Sequence, residues 1–237
     1  MEASIIERNI RAVQRKIAAA AAASGRLPET INLLAISKTF PVESIAQAAA
    51  AGVSRFGENR VQEAEAKIPV FREYTGLEWH LVGHLQTNKV RRAVELFDCI
   101  HSIDSTRLAE KLNQVCIETG KELSVFLQVD LGKEETKFGA DPARIPEIIE
   151  AVSSMKGLRL DGLMTVPPYF DDPEQTRPFY IRLRELRDAL ESEQPGCLGR
   201  RHLSMGMSHD FEVAIQEGAT IVRIGTSIFG SRDYGTS

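Results

Sequence analysis

The sequence is poor in cysteine, with only Cys99, Cys116 and Cys197 among its 237 residues. The number is odd, and no two of these cysteines have the CxxC spacing of many redox and zinc sites. A disulfide scaffold and a zinc knuckle are therefore both disfavoured. Cysteine used this sparingly is typical of a reducing compartment, so we expect a cytoplasmic protein.

Long apolar runs and an excess of basic residues are also missing. The first sixteen residues mix acidic and basic side chains without an apolar signal core, and no run approaches the length needed to cross a bilayer. The 29 Lys and Arg against 33 Asp and Glu give a net charge of −4 and a pI near 5.8. Binding to a phosphate backbone requires a basic surface. We therefore expect neither membrane insertion nor nucleic-acid binding.

What the sequence does contain is a regular alternation of short apolar segments with amphipathic ones. The pattern predicts a leading helix in residues 1–25 and eight strand-then-helix units in residues 31–230. Eight such units are the number in a TIM barrel. An open doubly wound sheet alternates similarly, but no GxGxxG follows the first strand, as it usually would in a dinucleotide-binding sheet. We predict an α/β protein with one domain, residues 1–237, built as a TIM-type (β/α)8 barrel.

The first predicted strand ends in a lysine, Lys38, followed by a turn and Pro41. The carboxyl ends of the strands are where α/β barrels place their chemistry. Partial burial there lowers the pKa of an ammonium group and favours the neutral amine, the form that attacks carbonyl groups. A lysine that simply extends into water is the alternative interpretation of Lys38 taken alone.

Two glycine-containing turns are predicted after strands seven and eight. The segment Ser204–Ser208 contains Gly206, and Gly225 and Thr226 begin the second turn. Barrels frequently bind phosphate at this position through main-chain N–H groups and the amino end of a short helix. Each turn alone could be an ordinary connection, but two adjacent ones favour a phosphate site.

Arg223 lies inside the apolar eighth strand, where a guanidinium is costly unless it is paired or hydrogen-bonded. A phosphate, a carboxylate, a ring nitrogen or a structural ion pair would each satisfy it. No metal site is predicted. His80 and His84 lie in a predicted strand and turn, where their spacing does not converge on one ion, and His202 and His209 lack a third ligand.

A strand-end lysine facing a phosphate turn indicates a phosphorylated aldehyde or ketone as the ligand. Pyridoxal phosphate satisfies this description, and so does a sugar phosphate in a class I aldolase. Arg223 favours pyridoxal phosphate, because an aldolase needs no cation at that position. An arginine facing the pyridine nitrogen keeps this nitrogen unprotonated and weakens the ring as an electron sink.

Seven segments then resemble, in order and over nearly the whole chain, the YggS/PROSC family of pyridoxal phosphate homeostasis proteins. They are AISKTFP, FGENRVQE, WHLVGHLQTNK, KFG, GLMTV, LSMGMSHDFEVAIQEGAT and VRIGTSIFG. The resemblance implies a fold-type III barrel similar to the N-terminal domain of alanine racemase. It also implies that Lys38 holds pyridoxal 5'-phosphate as an aldimine and that Arg223 faces the pyridine nitrogen. The other cofactor-binding residues it implies are Asn59 beside the ring and, at the phosphate, Ser204, Gly206, Gly225 and Thr226.

The function implied by the resemblance is intracellular vitamin B6 and amino-acid homeostasis without established catalytic turnover. Apoenzymes that accept pyridoxal phosphate are candidate partners. The alternative is an amino-acid racemase of the alanine-racemase type, which adds a β domain, dimerises and supplies a tyrosine as the opposite base. Because the chain ends soon after strand eight, we expect no such domain, and hence a monomer. Tyr169 and Tyr234 are the nearby tyrosines, and neither is obviously placed as that base.

Overall fold

The computed structural model describes residues 3–132 and 138–230, in which eight parallel strands close into a barrel. Each strand pairs with the next in sequence, and the eighth pairs with the first. The predicted TIM-type barrel is thus confirmed. The strands are β1 (Asn32–Ile36), β2 (Arg55–Glu58), β3 (Glu78–Leu81), β4 (Cys99–Ile103), β5 (Leu123–Gln128), β6 (Leu158–Met164), β7 (His202–Met207) and β8 (Ile221–Ile224).

Helices precede the barrel and separate its strands. The leading helix is slightly shorter than predicted, because the Ser4 hydroxyl caps its start by accepting from the Glu7 N–H. Its apolar face packs against the last two helices, Phe211–Gln216 and Thr226–Phe229. The helices are α1 (Ile5–Ala23), α2 (Val42–Ala50), α3 (Val61–Lys67), α4 (Val90–Leu96), α5 (Thr106–Thr119), α6 (Ile145–Ser153), α7 (Arg177–Glu193), α8 (Phe211–Gln216) and α9 (Thr226–Phe229).

The two faces of the strands have different compositions. Because side chains alternate along a strand, one set points to the helices and the other into the barrel. The outward set joins the helices in one large apolar core. The interior has a smaller apolar cluster and also buried polar side chains from four strands. The apolar members are Leu34, Ile36, Cys99, Phe126, Met164 and Ile221, and the polar ones include His80, His101, Ser204 and Arg223.

Strand β7 extends further than the sequence indicates. The predicted turn was placed at Ser204–Ser208, but β7 continues to Met207, and the turn follows it. Between Ser204 and Met207 the register with β8 shifts, and Gly206 has a positive φ of 88°. A bulge of this kind adds length to a strand without ending it, and glycine adopts its backbone conformation most readily.

No helix within the described ranges is both long enough and apolar enough to cross a membrane.

Candidate functional site

A cavity of about 340 Å³ lies at the carboxyl ends of the strands, between those of β1, β2, β7 and β8. It brings together five of the seven residues that the sequence analysis singled out for the cofactor: Lys38, Asn59, Arg223, Gly225 and Thr226. Its volume is in the range of small-molecule sites. We call it the mouth cavity.

Lys38 reaches the mouth cavity because of the alternation along β1. Leu34 and Ile36 belong to the apolar cluster inside the barrel, and Lys38 continues this inward series two residues beyond the last strand residue. The backbone then turns sharply, since Thr39 has a positive φ of 67°, which is uncommon for a residue other than glycine. Lys38 is half-buried and lines the cavity with Ile36.

Helix α3 holds the backbone on both sides of Lys38. Lys67 Nζ donates to the Ser37 carbonyl oxygen at 2.8 Å, and Glu63 accepts from the Thr39 N–H at 2.8 Å. Lys67 also lies 3.5 Å from the Glu63 carboxylate. The two residues that flank Lys38 are therefore fixed by the same helix turn, so the lysine extends from a constrained main chain.

A buried carboxylate completes this contact. Glu58 is fully buried, and its Oε1 accepts from Lys67 Nζ and from the Ser37 hydroxyl, both at 2.8 Å. Its Oε2 has no hydrogen-bond partner in the described part of the chain. Burial raises the pKa of Glu58 above its ordinary value even though Lys67 acts to lower it. Nothing in the sequence distinguishes Lys67 from an ordinary exposed helix lysine, so this pair could not be predicted from it.

Arg223 forms part of the wall of the mouth cavity and is only 4% exposed. Its Nη1 donates to the Ser204 carbonyl oxygen at 2.6 Å and to the Ser204 hydroxyl at 2.9 Å, and its Nη2 donates to the Thr165 carbonyl oxygen at 2.8 Å. No carboxylate in the described residues lies within ion-pair distance of it. Burial lowers the pKa of Arg223, but oxygen acceptors satisfy the guanidinium. The structural ion pair considered as an alternative is therefore absent from the described residues.

The turn after β8 presents main-chain donors at the cavity. The Ser208 hydroxyl oxygen accepts from the Gly225 N–H at 3.2 Å and from the Ser227 N–H at 3.4 Å. Both bonds are long, and one neutral oxygen serves two donors at the start of α9. An anionic oxygen would be a stronger partner at this position. Sequence reasoning named the segment that contains Ser208 but did not single this residue out.

Two residues that the resemblance implies at the phosphate, Ser204 and Gly206, are not among the residues that line the mouth cavity. Ser204 is fully buried inside β7, and its hydroxyl contacts Arg223 and His101 rather than the turn after β8. Gly206 faces helix α8, where a Cβ would lie 2.5 Å from the Ala214 Cβ. Because β7 is extended, its last residue, Met207, and the next residue, Ser208, line the cavity instead.

His80 and His84, which are four residues apart, have separate surroundings in the structure. His84 lies at the carboxyl ends of the strands, stacked on Phe138 with ring centroids 3.7 Å apart. His80 points into the barrel, where its Nδ1 is 2.8 Å from His101 Nε2. With Cys99, these two histidines place three possible metal ligands within 4.8 Å of one another. However, a hydrogen bond between the two nitrogens places a proton on one of them, whereas a metal ion held by both would require the lone pair of each.

The mouth cavity is open at its rim. Tyr169 is 73% exposed, contacts His209 with ring centroids 5.5 Å apart, and lines the cavity with it. A second cavity of about 830 Å³ adjoins it and shares Asn59, Val82 and Val166 as lining residues. Of the two tyrosines considered as an opposite base, Tyr169 therefore reaches the rim, while Tyr234 lies outside the described residues, as does Lys137 of the KFG segment.

The sequence and the structure of this chain are similar to those of known proteins. Residues 4–233 match the family described as "Alanine racemase, N-terminal domain". The chain is 44% identical over 228 residues to a pyridoxal phosphate homeostasis protein from Aquifex aeolicus, covering 96% of this chain and 98% of the relative. It is also similar to PipY of Synechococcus elongatus PCC7942, solved with pyridoxal phosphate bound, at 41% identity and a TM-score of 0.80. That match covers 90% of this chain and all of PipY.

A more distant similarity concerns the fold alone. Alanine racemase from Corynebacterium glutamicum superposes with a TM-score of 0.72 at 17% identity, over 98% of this chain and 63% of the racemase. The barrel is thus shared with the racemases, while the identities above 40% connect the chain to a narrower group. The resemblance found in the seven sequence segments is confirmed: the chain belongs to the YggS/PROSC family of pyridoxal phosphate homeostasis proteins.

Proposed function

We propose that this protein binds pyridoxal 5'-phosphate in the mouth cavity, held covalently by Lys38, and takes part in intracellular vitamin B6 and amino-acid homeostasis. The observation that carries the proposal is the shared lining of one 340 Å³ cavity by Lys38, Arg223 and the Gly225-Thr226 turn. The amine can meet the aldehyde of a phosphorylated pyridine aldehyde, the guanidinium its ring nitrogen and the turn its phosphate. PipY, 41% identical, is solved with this cofactor bound.

The turn after β8 fits the phosphate. Its main-chain N–H groups at Gly225 and Ser227 already converge on one hydroxyl oxygen, that of Ser208. A phosphate oxygen accepts such bonds more strongly, and the amino end of a helix adds a favourable field for an anion. In this proposal Gly225 and Thr226 keep the phosphate role predicted for them, Ser208 joins them, and Ser204 and Gly206 support the site from within the barrel wall.

The remaining residues position the ring end of the ligand. When bound, pyridoxal phosphate supplies an aldehyde that condenses with amines and a pyridine ring that can withdraw electrons. Lys38 provides the amine from a backbone that α3 constrains through Ser37 and Thr39. Arg223 provides a permanent cation, which disfavours a proton on a facing ring nitrogen. Asn59 lines the same cavity and is assigned to the side of the ring.

The open rim supports a carrier role. Tyr169 is largely exposed at the entrance, so a ligand in the mouth cavity would be reachable from solvent. We propose that apoenzymes requiring pyridoxal phosphate receive it from this protein in the cytoplasm. We also propose that the single barrel domain acts as a monomer; light scattering should give 26.3 kDa, whereas a stable dimer at micromolar concentration would contradict this.

The experiment is to load purified protein with pyridoxal phosphate, remove unbound cofactor by gel filtration, and record the visible spectrum and the bound phosphate. We expect near-stoichiometric retention with a visible band for wild type, and loss of that band for Lys38→Ala in a folded protein. Wild type that retains no cofactor would refute the proposal, and retained phosphate without a visible band would refute the covalent role of Lys38.

A racemase is separated from a carrier by a second assay on the same samples. Loaded protein is incubated with individual L-amino acids, and the products are resolved by chiral chromatography. We expect no formation of the D-enantiomer above that caused by free cofactor. Racemisation that depends on the protein would instead favour the alternative, with Tyr169 as the first side chain to test as its second base.

A further inference from the structure

A series of polar side chains crosses the barrel interior from the mouth cavity to the amino ends of the strands. Arg223 Nη1 is 2.9 Å from the Ser204 hydroxyl, which is 2.9 Å from His101 Nδ1. His101 Nε2 is 2.8 Å from His80 Nδ1, and His80 Nε2 is 3.7 Å from the Glu78 carboxylate. The members come from β8, β7, β4 and β3, so no single strand could form this series.

The central members of the series are buried. His101 and Ser204 are 0% exposed, and His80 is 6% exposed. A buried polar group without a hydrogen-bond partner is costly, and a network in a low-dielectric interior is stable only when each member is satisfied. At the far end Glu78 also accepts from Arg55 at 2.8 Å and lines a separate cavity of about 290 Å³. The Glu78 carboxylate is therefore one end of the series, and the Arg223 guanidinium is the other.

The chemistry of the two ends gives the series a direction. Arg223 can only donate, so the Ser204 oxygen accepts from it. The Glu78 carboxylate can only accept, because its neighbours His80 and Arg55 hold its pKa at about 2. In its singly protonated form, His80 carries that proton on Nε2, the nitrogen nearer to Glu78, and accepts at Nδ1. His101 Nε2 must therefore donate, which leaves His101 Nδ1 to accept the Ser204 proton. Burial, with the charge of the nearby Arg223, lowers the pKa of His101 well below its ordinary value, so it stays neutral.

We propose that His101, supported by His80, is a positioning residue for Arg223. The His101 Nδ1 atom accepts a hydrogen bond from the Ser204 hydroxyl and so turns the lone pairs of the hydroxyl oxygen towards the guanidinium. This orientation holds Arg223 at the cavity wall. The two hydrogen bonds from Arg223 to main-chain carbonyl oxygens fix its height in the barrel. The Ser204 hydroxyl is its one side-chain hydrogen-bond partner in the described residues. The effect on the cofactor rests on the proposed function, whereas the hydrogen-bond direction does not.

The direction is tested on protein without cofactor, by 15N NMR of histidine-labelled samples near pH 8. We expect both His80 and His101 as the Nε2–H tautomer, with a correlation from the Ser204 hydroxyl proton to His101 Nδ1. A Nδ1–H tautomer at His101 would overturn the proposal. This result is independent of whether the protein takes up pyridoxal phosphate.

The consequence is tested by three matched variants loaded with pyridoxal phosphate. His101→Leu removes both nitrogens, His101→Asn keeps an acceptor near the Nδ1 position, and Phe126→Leu removes only the ring stacked 4.3 Å from His101. The readout is the midpoint pH of the bound chromophore's spectral change. If Arg223 is displaced, the ring nitrogen of the cofactor can take up a proton. The positive charge of the protonated ring then disfavours a second proton on the chromophore and lowers the midpoint pH.

We expect His101→Leu to lower that midpoint by about one pH unit or more, equivalent to about 1.4 kcal/mol. His101→Asn and Phe126→Leu should remain close to wild type, and cofactor retention should change less than threefold in all three. If His101→Leu does not fold, Ser204→Ala removes the same link with a smaller change and should give the same shift. An unchanged midpoint in the folded variant would overturn the proposal. Wild type that binds no cofactor would instead refute the proposed function.

Discussion

Lys67 donates a 2.8 Å hydrogen bond to the main-chain carbonyl oxygen of Ser37, the residue immediately before Lys38. This bond links helix α3, on the outside of the barrel, to the main chain next to Lys38, whose side chain lines the mouth cavity. Lys67 is itself only 9% exposed and is charge-paired with the fully buried Glu58. The position of Lys38 therefore depends on a buried ion pair that does not touch the mouth cavity.

Lys67→Met is expected to destabilise the protein strongly, because it leaves the Glu58 carboxylate buried without its partner. Breaking one side of a buried pair typically costs about 3–5 kcal/mol. Urea unfolding at pH 7 measures the loss. The double variant Glu58→Gln/Lys67→Met removes the orphaned charge and should recover part of the stability. A loss under about 1 kcal/mol for Lys67→Met would show that this ion pair does not contribute to stability as strongly as its burial implies.

The same variant should show a pH dependence of known sign. Burial raises the folded-state pKa of Glu58 above 4.5, so the folded state favours the protonated carboxyl. Stability associated with this group is therefore present below about pH 4.5 and is lost as pH rises through the folded pKa. We expect the destabilisation of Lys67→Met to be smallest near pH 4 and to grow towards pH 7. The opposite trend would contradict the assignment.

Thr226→Val and Arg223→Gln should separate anchoring of the phosphate from control of the ring. A hydrogen bond to a charged group contributes about 1.5–3 kcal/mol, so losing the Thr226 hydroxyl should weaken cofactor retention roughly ten- to a hundredfold. Arg223→Gln should change the spectrum more than retention. Titration of apoprotein with pyridoxal phosphate measures both.

Thr30→Val is the matched control, because Thr30 is exposed and its hydroxyl bonds only locally, to the Leu27 carbonyl. It should bind like wild type. The reverse pattern for the site variants, with tight binding by Thr226→Val and loss of cofactor by Arg223→Gln, would make Arg223 the phosphate anchor and invert the two roles.

Gly206→Ala should reduce stability through packing. The new Cβ would lie 2.5 Å from the Ala214 Cβ, at a residue whose φ is 88°. Collision and backbone strain together should cost about 2–4 kcal/mol in urea unfolding. Gly218→Ala is the control, since Gly218 has a similar φ of 99° but its nearest neighbour would be 3.5 Å away. Equal losses in the two variants would show that the contact with α8 is unimportant.

The sequence was sufficient to predict the barrel and to place at the carboxyl ends of the strands those residues that follow strand-end rules. Lys38 was found because it follows a continuous apolar strand, and the Gly225-Thr226 turn because it follows the last one. Ser204 was placed in a turn because the bulge at Gly206 lengthens β7 without a signal that periodicity detects. Ser208, two residues past that bulge, was missed for the same reason.

Other parts of the site depend on relationships between strands. His101 sits in an apolar segment and resembles a single satisfied core residue until the pairing of the strands brings it to His80 and Ser204. Similarly, Glu58 ends β2 with its side chain towards α3, where Lys67 lies nine residues later. Neither pair has a characteristic spacing in the sequence, so only the three-dimensional structure identifies them.

The most direct test of the account is the site of covalent attachment. Loaded protein is reduced with borohydride, digested, and mapped by mass spectrometry for the phosphopyridoxyl group, with Lys38→Ala treated in parallel. We expect the added mass on the peptide containing Lys38, and none at another lysine at comparable occupancy in either sample. Attachment at Lys89 or Lys137 instead, or unchanged labelling of the Lys38→Ala variant, would contradict the assignment of Lys38 as the residue that holds the cofactor.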